Sequence, residues 1–152
     1  MNGGDLFTTP TGTLAATTIT GESGSILRGP GTLDSNLINQ AEIRLDKHTG
    51  PIIVNGNVTL DTASLTKVTI GLGPDKTGTG KLEIIGAVTL GGTLEIKQPG
   101  TYSPQIGDEF EIMTYGSKTG DFTQLDGLAL KNDLVGQLEI TDTAIKLKVV
   151  AP

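Results

Sequence analysis

The sequence predicts an all-β chain of short stacked strands, a β-solenoid finished by an antiparallel strand cap at its C-terminal end. A β-sandwich is the alternative, because it is built from the same short alternating strands. Three observations lead there. Gly occurs 22 times in 152 residues and Thr is abundant, a mixture that favours short strands and turns over long helices. No window shows the i, i+3, i+4, i+7 apolar spacing of an amphipathic helix, so no helix is expected. The pentapeptide GNVTL at 56–60 returns as GAVTL at 86–90.

Apolar residues alternate with Thr, Asn, Lys or Glu from Thr13 to Ile19, Ser25 to Leu27, Glu42 to Leu45, Ile52 to Leu60, Ser64 to Ile70, Lys81 to Ile85 and Val88 to Ile96. Each run is expected to be a strand. The corners between them include Gly21-Glu22-Ser23-Gly24, Gly29-Pro30-Gly31 and Gly91-Gly92, where glycine supplies backbone angles other residues avoid. Residues 71–80 read as an exposed loop. Without that loop, the spacing between the two pentapeptides is roughly twenty residues, the size of one unit stacking on the next. Stacking would turn Val58, Leu60, Val88 and Leu90 inward and Thr59 and Thr89 outward. With aromatics at 3% and no Trp, the core must come from Leu, Ile and Val. The length suits one domain over 1–152, with 13–97 as stacked coils and 98–152 as the C-terminal coil and cap. In that cap Leu138, Ile140, Ile145, Leu147 and Val149 alternate around a turn at Thr141-Asp142-Thr143.

GNVTL, GAVTLGGTLEI, the segment Pro104 to Thr114 (PQIGDEFEIMT) and the close Gly120-Asp121-Phe122 occur in that order, followed by LVGQLEITDTAIKLKVVAP. This succession resembles the autotransporter-associated β-strand repeats of bacterial surface and secreted proteins, over residues 13–152 and most closely over 52–152. The resemblance implies a right-handed parallel β-helix serving as a passenger or stalk module, extracellular or at the cell surface. Its partners would be the flanking domains of a larger chain. It brings no catalytic residues, and it implies that Phe110 and Phe122 plug the C-terminal end. The chain lacks the membrane barrel and the long run of repeats found in that family, so self-transport does not follow.

The net charge of −6 and pI near 4.6 leave no clustered basic face, so no nucleic acid partner is expected. The absence of Cys excludes disulfides and thiolate chemistry. Without a signal-like apolar segment or an 18-residue apolar run, no membrane insertion is expected, and Met1 reads as the start of an excised fragment. The single histidine, His48, sits in a polar corner with no second imidazole. Gly78-Thr79-Gly80-Lys81 falls short of a phosphate-binding loop, having Asp75 and Leu82 where that motif requires Gly and Ser or Thr. Asp108, Glu109 and Glu111, with Asp121 and Asp126, read as the solvated side of half-buried strands, weighed against a weak calcium site or a glycosidase pair. Gly3-Gly4-Asp5 is only a fragment of a calcium-binding nonapeptide. The expectation is therefore no catalytic, cofactor or metal residues, and a non-enzymatic structural or display module: a stalk, spacer or presentation scaffold. The alternative is a carbohydrate-binding or adhesive module, for which Tyr102 and Tyr115, the two aromatics expected at the surface, would contact a surface glycan. A polysaccharide lyase on a β-helix is a third reading, and it lacks a visible cluster of basic and acidic groups.

Overall fold

The computed structural model describes residues 5–7, 13–46 and 50–152, with side chains from Thr18 onward. The strands are β1 (Asp5–Phe7), β2 (Thr13–Gly21), β3 (Ile26–Arg28), β4 (Gly31–Asn39), β5 (Glu42–Leu45), β6 (Ile52–Val54), β7 (Val58–Leu60), β8 (Leu65–Leu72) and β9 (Gly78–Thr79). They continue as β10 (Leu82–Ile84), β11 (Ala87–Leu90), β12 (Thr93–Lys97), β13 (Glu109–Thr114), β14 (Ser117–Gly120), β15 (Gln124–Asp126), β16 (Val135–Ile140) and β17 (Ala144–Val150). Among the described residues the only helical element is a 3₁₀ turn at Lys131–Asp133. The all-β expectation holds.

Two curled sheets form. In one, β1, β3, β5, β8, β12 and β15 lie side by side, every neighbour parallel. The other is mixed. Strand β4 lies between β2 on one side and both β6 and β7 on the other; β10 and β11 follow, then β13 and β14, all parallel. The antiparallel pairs are β13 with β17, β17 with β16, and the short β8–β9 hairpin.

Register keeps like residues in rows. Leu37 pairs with Val58 and Val58 with Val88, and all three are buried; Thr59 pairs with Thr89 and both are exposed. The inward and outward assignment of the repeated pentapeptide is thus observed. The interior is filled by aliphatic side chains such as Leu27, Ile43, Leu82 and Leu94. One row is interrupted: Thr66 stands between Ile43 and Leu94, fully buried, and its hydroxyl has no hydrogen-bond partner. An unpaired buried hydroxyl costs its desolvation without return. Thr66→Val is therefore expected to raise stability by about 1 kcal/mol, measured by urea unfolding. A loss of stability would show that the hydroxyl is satisfied.

Several expectations need correction. The stretch 31–39 was not expected to be a strand, yet β4 shares with β2 the greatest strand length in the molecule, 9 residues. Its pattern is disguised, because polar Ser35 and Asn39 point inward and Ile38 points out. The runs Ile52 to Leu60 and Val88 to Ile96 are each broken in two, at Asn55-Gly56-Asn57 and at Gly91-Gly92. Gly92 takes φ +68 at that break, and a Cβ there would strike the backbone oxygen of Ser64, so only glycine fits. The loop at 71–80 is partly a hairpin, with Ile70 opposite Thr79 and Gly71 buried against the Tyr102 ring.

Candidate functional site

Chemistry-bearing side chains gather at the C-terminal end of the sheets, around Tyr102 and Tyr115. Tyr102 lies in the segment joining β12 to β13 and is only 2% exposed. Its hydroxyl donates to Asp108 Oδ2 at 2.8 Å, and the same oxygen accepts the backbone N–H of Gln105 at 3.0 Å. The ring stands edge-on to Phe110, with centroids 5.8 Å apart and planes at 82°, a favourable aromatic arrangement. Lys131 fastens the segment from outside, its ammonium donating to the carbonyls of Pro99 at 2.7 Å and Tyr102 at 3.0 Å.

Tyr115 follows β13 and is 4% exposed. Its hydroxyl donates to the carbonyls of Thr141 at 2.6 Å and Ala144 at 3.2 Å, both at the turn between β16 and β17. The ring is thereby tied to the final strand pair. Burial raises the pKa of both phenols, helped at Tyr102 by the hydrogen bond to Asp108 and at Tyr115 by the negative charge of Asp142. Both are neutral donors at physiological pH.

The expectation that these tyrosines sit at the surface is corrected by their burial. Each ring is largely covered by the fold, and each hydroxyl is engaged by internal acceptors. Phe110 is buried beside Tyr102, and Phe122 is half-buried against the core.

The acidic residues are distributed among separate partners. Glu111 Oε1 lies 2.7 Å from Lys81 Nζ, and Glu109 faces Lys146 at 3.5 Å and Lys148 at 4.0 Å. Asp126 accepts from its own strand neighbour Gln124, while Asp108 is held by Tyr102 and Gln105. Among the described residues no group of three or more His, Cys, Asp or Glu side chains is placed to hold a metal ion. No helix follows Gly78–Lys81; β9 and β10 lie there. His48, with Gly3 and Gly4, lies outside the described residues. No helix among the described residues is long and apolar enough to cross a membrane.

Beside the tyrosine clasp, the β8–β9 hairpin tip and the 101–108 segment enclose an open groove of about 350 Å³, lined by Asp75, Lys76, Thr77, Ser103, Gln105 and Asp108 among others. Polar and apolar atoms share its walls equally, and among the described residues Tyr102 is the one ring in its lining.

Sequence reasoning also missed two asparagines, Asn36 within β4 and Asn57 between β6 and β7, that join successive strands. Asn36 Oδ1 accepts the N–H of Asn57, and Asn57 Oδ1 accepts the N–H of Ala87, both at 2.9 Å. A Cβ on Gly86 would occupy the place of the Asn57 side-chain oxygen, which explains the glycine opening GAVTL. The available signal was the recurrence of Asn one residue before the apolar partner at Asn36-Leu37 and Asn57-Val58.

No protein-family model matches this chain, and no curated protein matches it.

Proposed function

We propose that this chain is a non-enzymatic structural module, a short stack of parallel-strand coils that spaces or presents neighbouring parts of a larger bacterial surface or secreted protein. The observation that carries the reading is register: Leu37, Val58 and Val88 on one row, and Ile38, Thr59, Thr89 and Thr119 on the next, follow one another through successive parallel strands. Such repetition is the economy of a solenoid, in which each coil buries the face its neighbour leaves open. The motif order that resembles autotransporter-associated repeats supports the same reading and supplies its surface or secreted setting. Tyr102, Tyr115, Asp108 and Asp126 are engaged in internal hydrogen bonds, and Glu109 and Glu111 in ion pairs.

A carbohydrate-binding role is the second reading, favoured by the groove of mixed polar and apolar lining beside Tyr102. Its lining of hydroxyl, amide and carboxylate groups is of the kind that meets sugar hydroxyls.

The spacing role requires a rigid stack. The chain has no cysteine, so labels at Thr20→Cys and Thr119→Cys are unique. Four strand intervals separate those positions along one row, through Ile38, Thr59 and Thr89. Their Cα separation is therefore about 19 Å, and pulsed electron spin measurements should return one narrow distance distribution. A broad distribution would remove the rod. Turnover of any polysaccharide by the same protein would overturn the non-enzymatic reading, and saturable binding to a glycan panel would favour the second.

A further inference from the structure

The end of the stack carries an unusual residue in its core row. Val88, in β11, faces Lys118 in β14 at the register position where Leu37 and Val58 precede it. The three aliphatic residues are each 1% exposed, whereas Lys118 is half-buried. In the adjoining row, Leu90 is followed by Gly120, which has no side chain to offer a further layer. Among the described residues strand β14 pairs only with β11, which leaves its outer edge open, and the final strand pair adds to β13 and not to β14.

We propose that Lys118 closes the C-terminal end of the stack against a second copy of this chain. The proposal rests on the stacked-coil reading above. At the opposite end, among the described residues, β2 pairs on one side only, with β4. Both free edges belong to parallel strands running in the same sense, so the β2 edge of one molecule is complementary to the β14 edge of another. Such a contact is head-to-tail and does not close on itself, which is the geometry of filaments rather than dimers. The neighbouring end strand increases the hazard: Leu125 in β15 sits in the row of Leu94 yet is 44% exposed. Opposite Val88 and half-buried, a lysine at this position can cover the apolar row with its methylene stem and keep its ammonium in water. A strand docking on β14 would bury that charge with no partner. An inward-pointing charge on an edge strand is one of the devices that keep sheet edges from joining.

The test replaces Lys118→Val, which continues the aliphatic row, beside Lys118→Glu, which keeps a charge. Multi-angle light scattering across a hundredfold concentration range is expected to give a monomer mass for the native chain and for Lys118→Glu. Lys118→Val is expected to grow at least fourfold in mass as concentration rises, with its β-type circular dichroism retained. Monomeric Lys118→Val at every concentration overturns the proposal, as does growth accompanied by loss of the β spectrum, or growth of the native chain itself. Spin labels at Thr59→Cys and Thr89→Cys, in the Lys118→Val background, separate the two readings. One strand interval between the labels with no self-association sinks the role of Lys118 alone, and a distance unrelated to one interval sinks the stack on which it depends.

Discussion

Deleting residues 134–152 is expected to leave a chain that unfolds or aggregates at room temperature. The removed segment contains β16 and β17, and β17 buries Ile145, Leu147 and Val149 against the core. Three buried aliphatic side chains at about 1.5–3 kcal/mol each amount to roughly 5–9 kcal/mol, comparable with the whole stability of a domain. The deletion also strands polar groups. Tyr115 loses both acceptors of its hydroxyl, Gly107 N–H loses the carbonyl of Val149, and Asp108 loses the Val149 N–H from its backbone oxygen. The outer edge of β13 would then stand open with Phe110 and Ile112 uncovered, a template for pairing with other chains. Size-exclusion chromatography and thermal melting decide the matter: a soluble monomer with an unchanged midpoint would show that the final strand pair is an ornament.

Leu90→Ala is expected to cost about 2–5 kcal/mol, through lost burial and the cavity left behind. Leu60→Ala should fall in the same range, because both leucines are buried at the equivalent end of their strands, 2% and 4% exposed. Thr89, between Val88 and Leu90, faces outward, and its hydroxyl meets that of Thr119 at 3.3 Å on the surface. Changing it to Ser or Lys should move stability by no more than about 0.5 kcal/mol, the usual range for an exposed position. Urea denaturation of the two variants reads the contrast directly. Equal costs at Leu90 and Thr89 would reverse the faces, and small costs at both would mean that the segment is not part of the core.

The parts of this fold that could be read from the sequence are those where side-chain chemistry alternates cleanly. Val58-Thr59-Leu60 and Val88-Thr89-Leu90 put aliphatic groups on one side and hydroxyls on the other, and the pairing brings them into register as their repetition suggests. The strand β4 stayed hidden because its inward positions include Ser35 and Asn39, and the latter uses its side-chain amide to bond the carbonyl of Ala41. That bond serves only the amide nitrogen: Ser35 Oγ and Asn39 Oδ1 are buried without a partner, and polar residues at inward positions erase the pattern. The tyrosines misled for a related reason. Loop position and a polar hydroxyl argue for exposure, but the acceptors that bury them, Asp108 for one and the carbonyls of Thr141 and Ala144 for the other, come together only on folding. Lys118 could not be singled out from composition, because its meaning lies in the row it ends.

The hairpin formed by β8 and β9 has a consequence for how the molecule tolerates change. Between Leu33 and Val54 the parallel partners are separated by 21 positions, whereas between Val54 and Ile84 they are separated by 30, and the ladder resumes without a slip. Two of the additional positions enter at the corner between β7 and β8, where the offset becomes 23 (Glu42 with Leu65), and the others enter at the β8–β9 hairpin, while the paired strands on either side keep their alignment. Further lengthening there, at the exposed tip by Asp75 and Lys76, costs only the slowly growing entropy of a longer closed loop. Gly71, pressed against the Tyr102 ring, marks the inner limit of that freedom. Beyond it, this corner is a natural graft point, where a foreign peptide could be carried outward from the sheets while the paired strands beneath remain aligned.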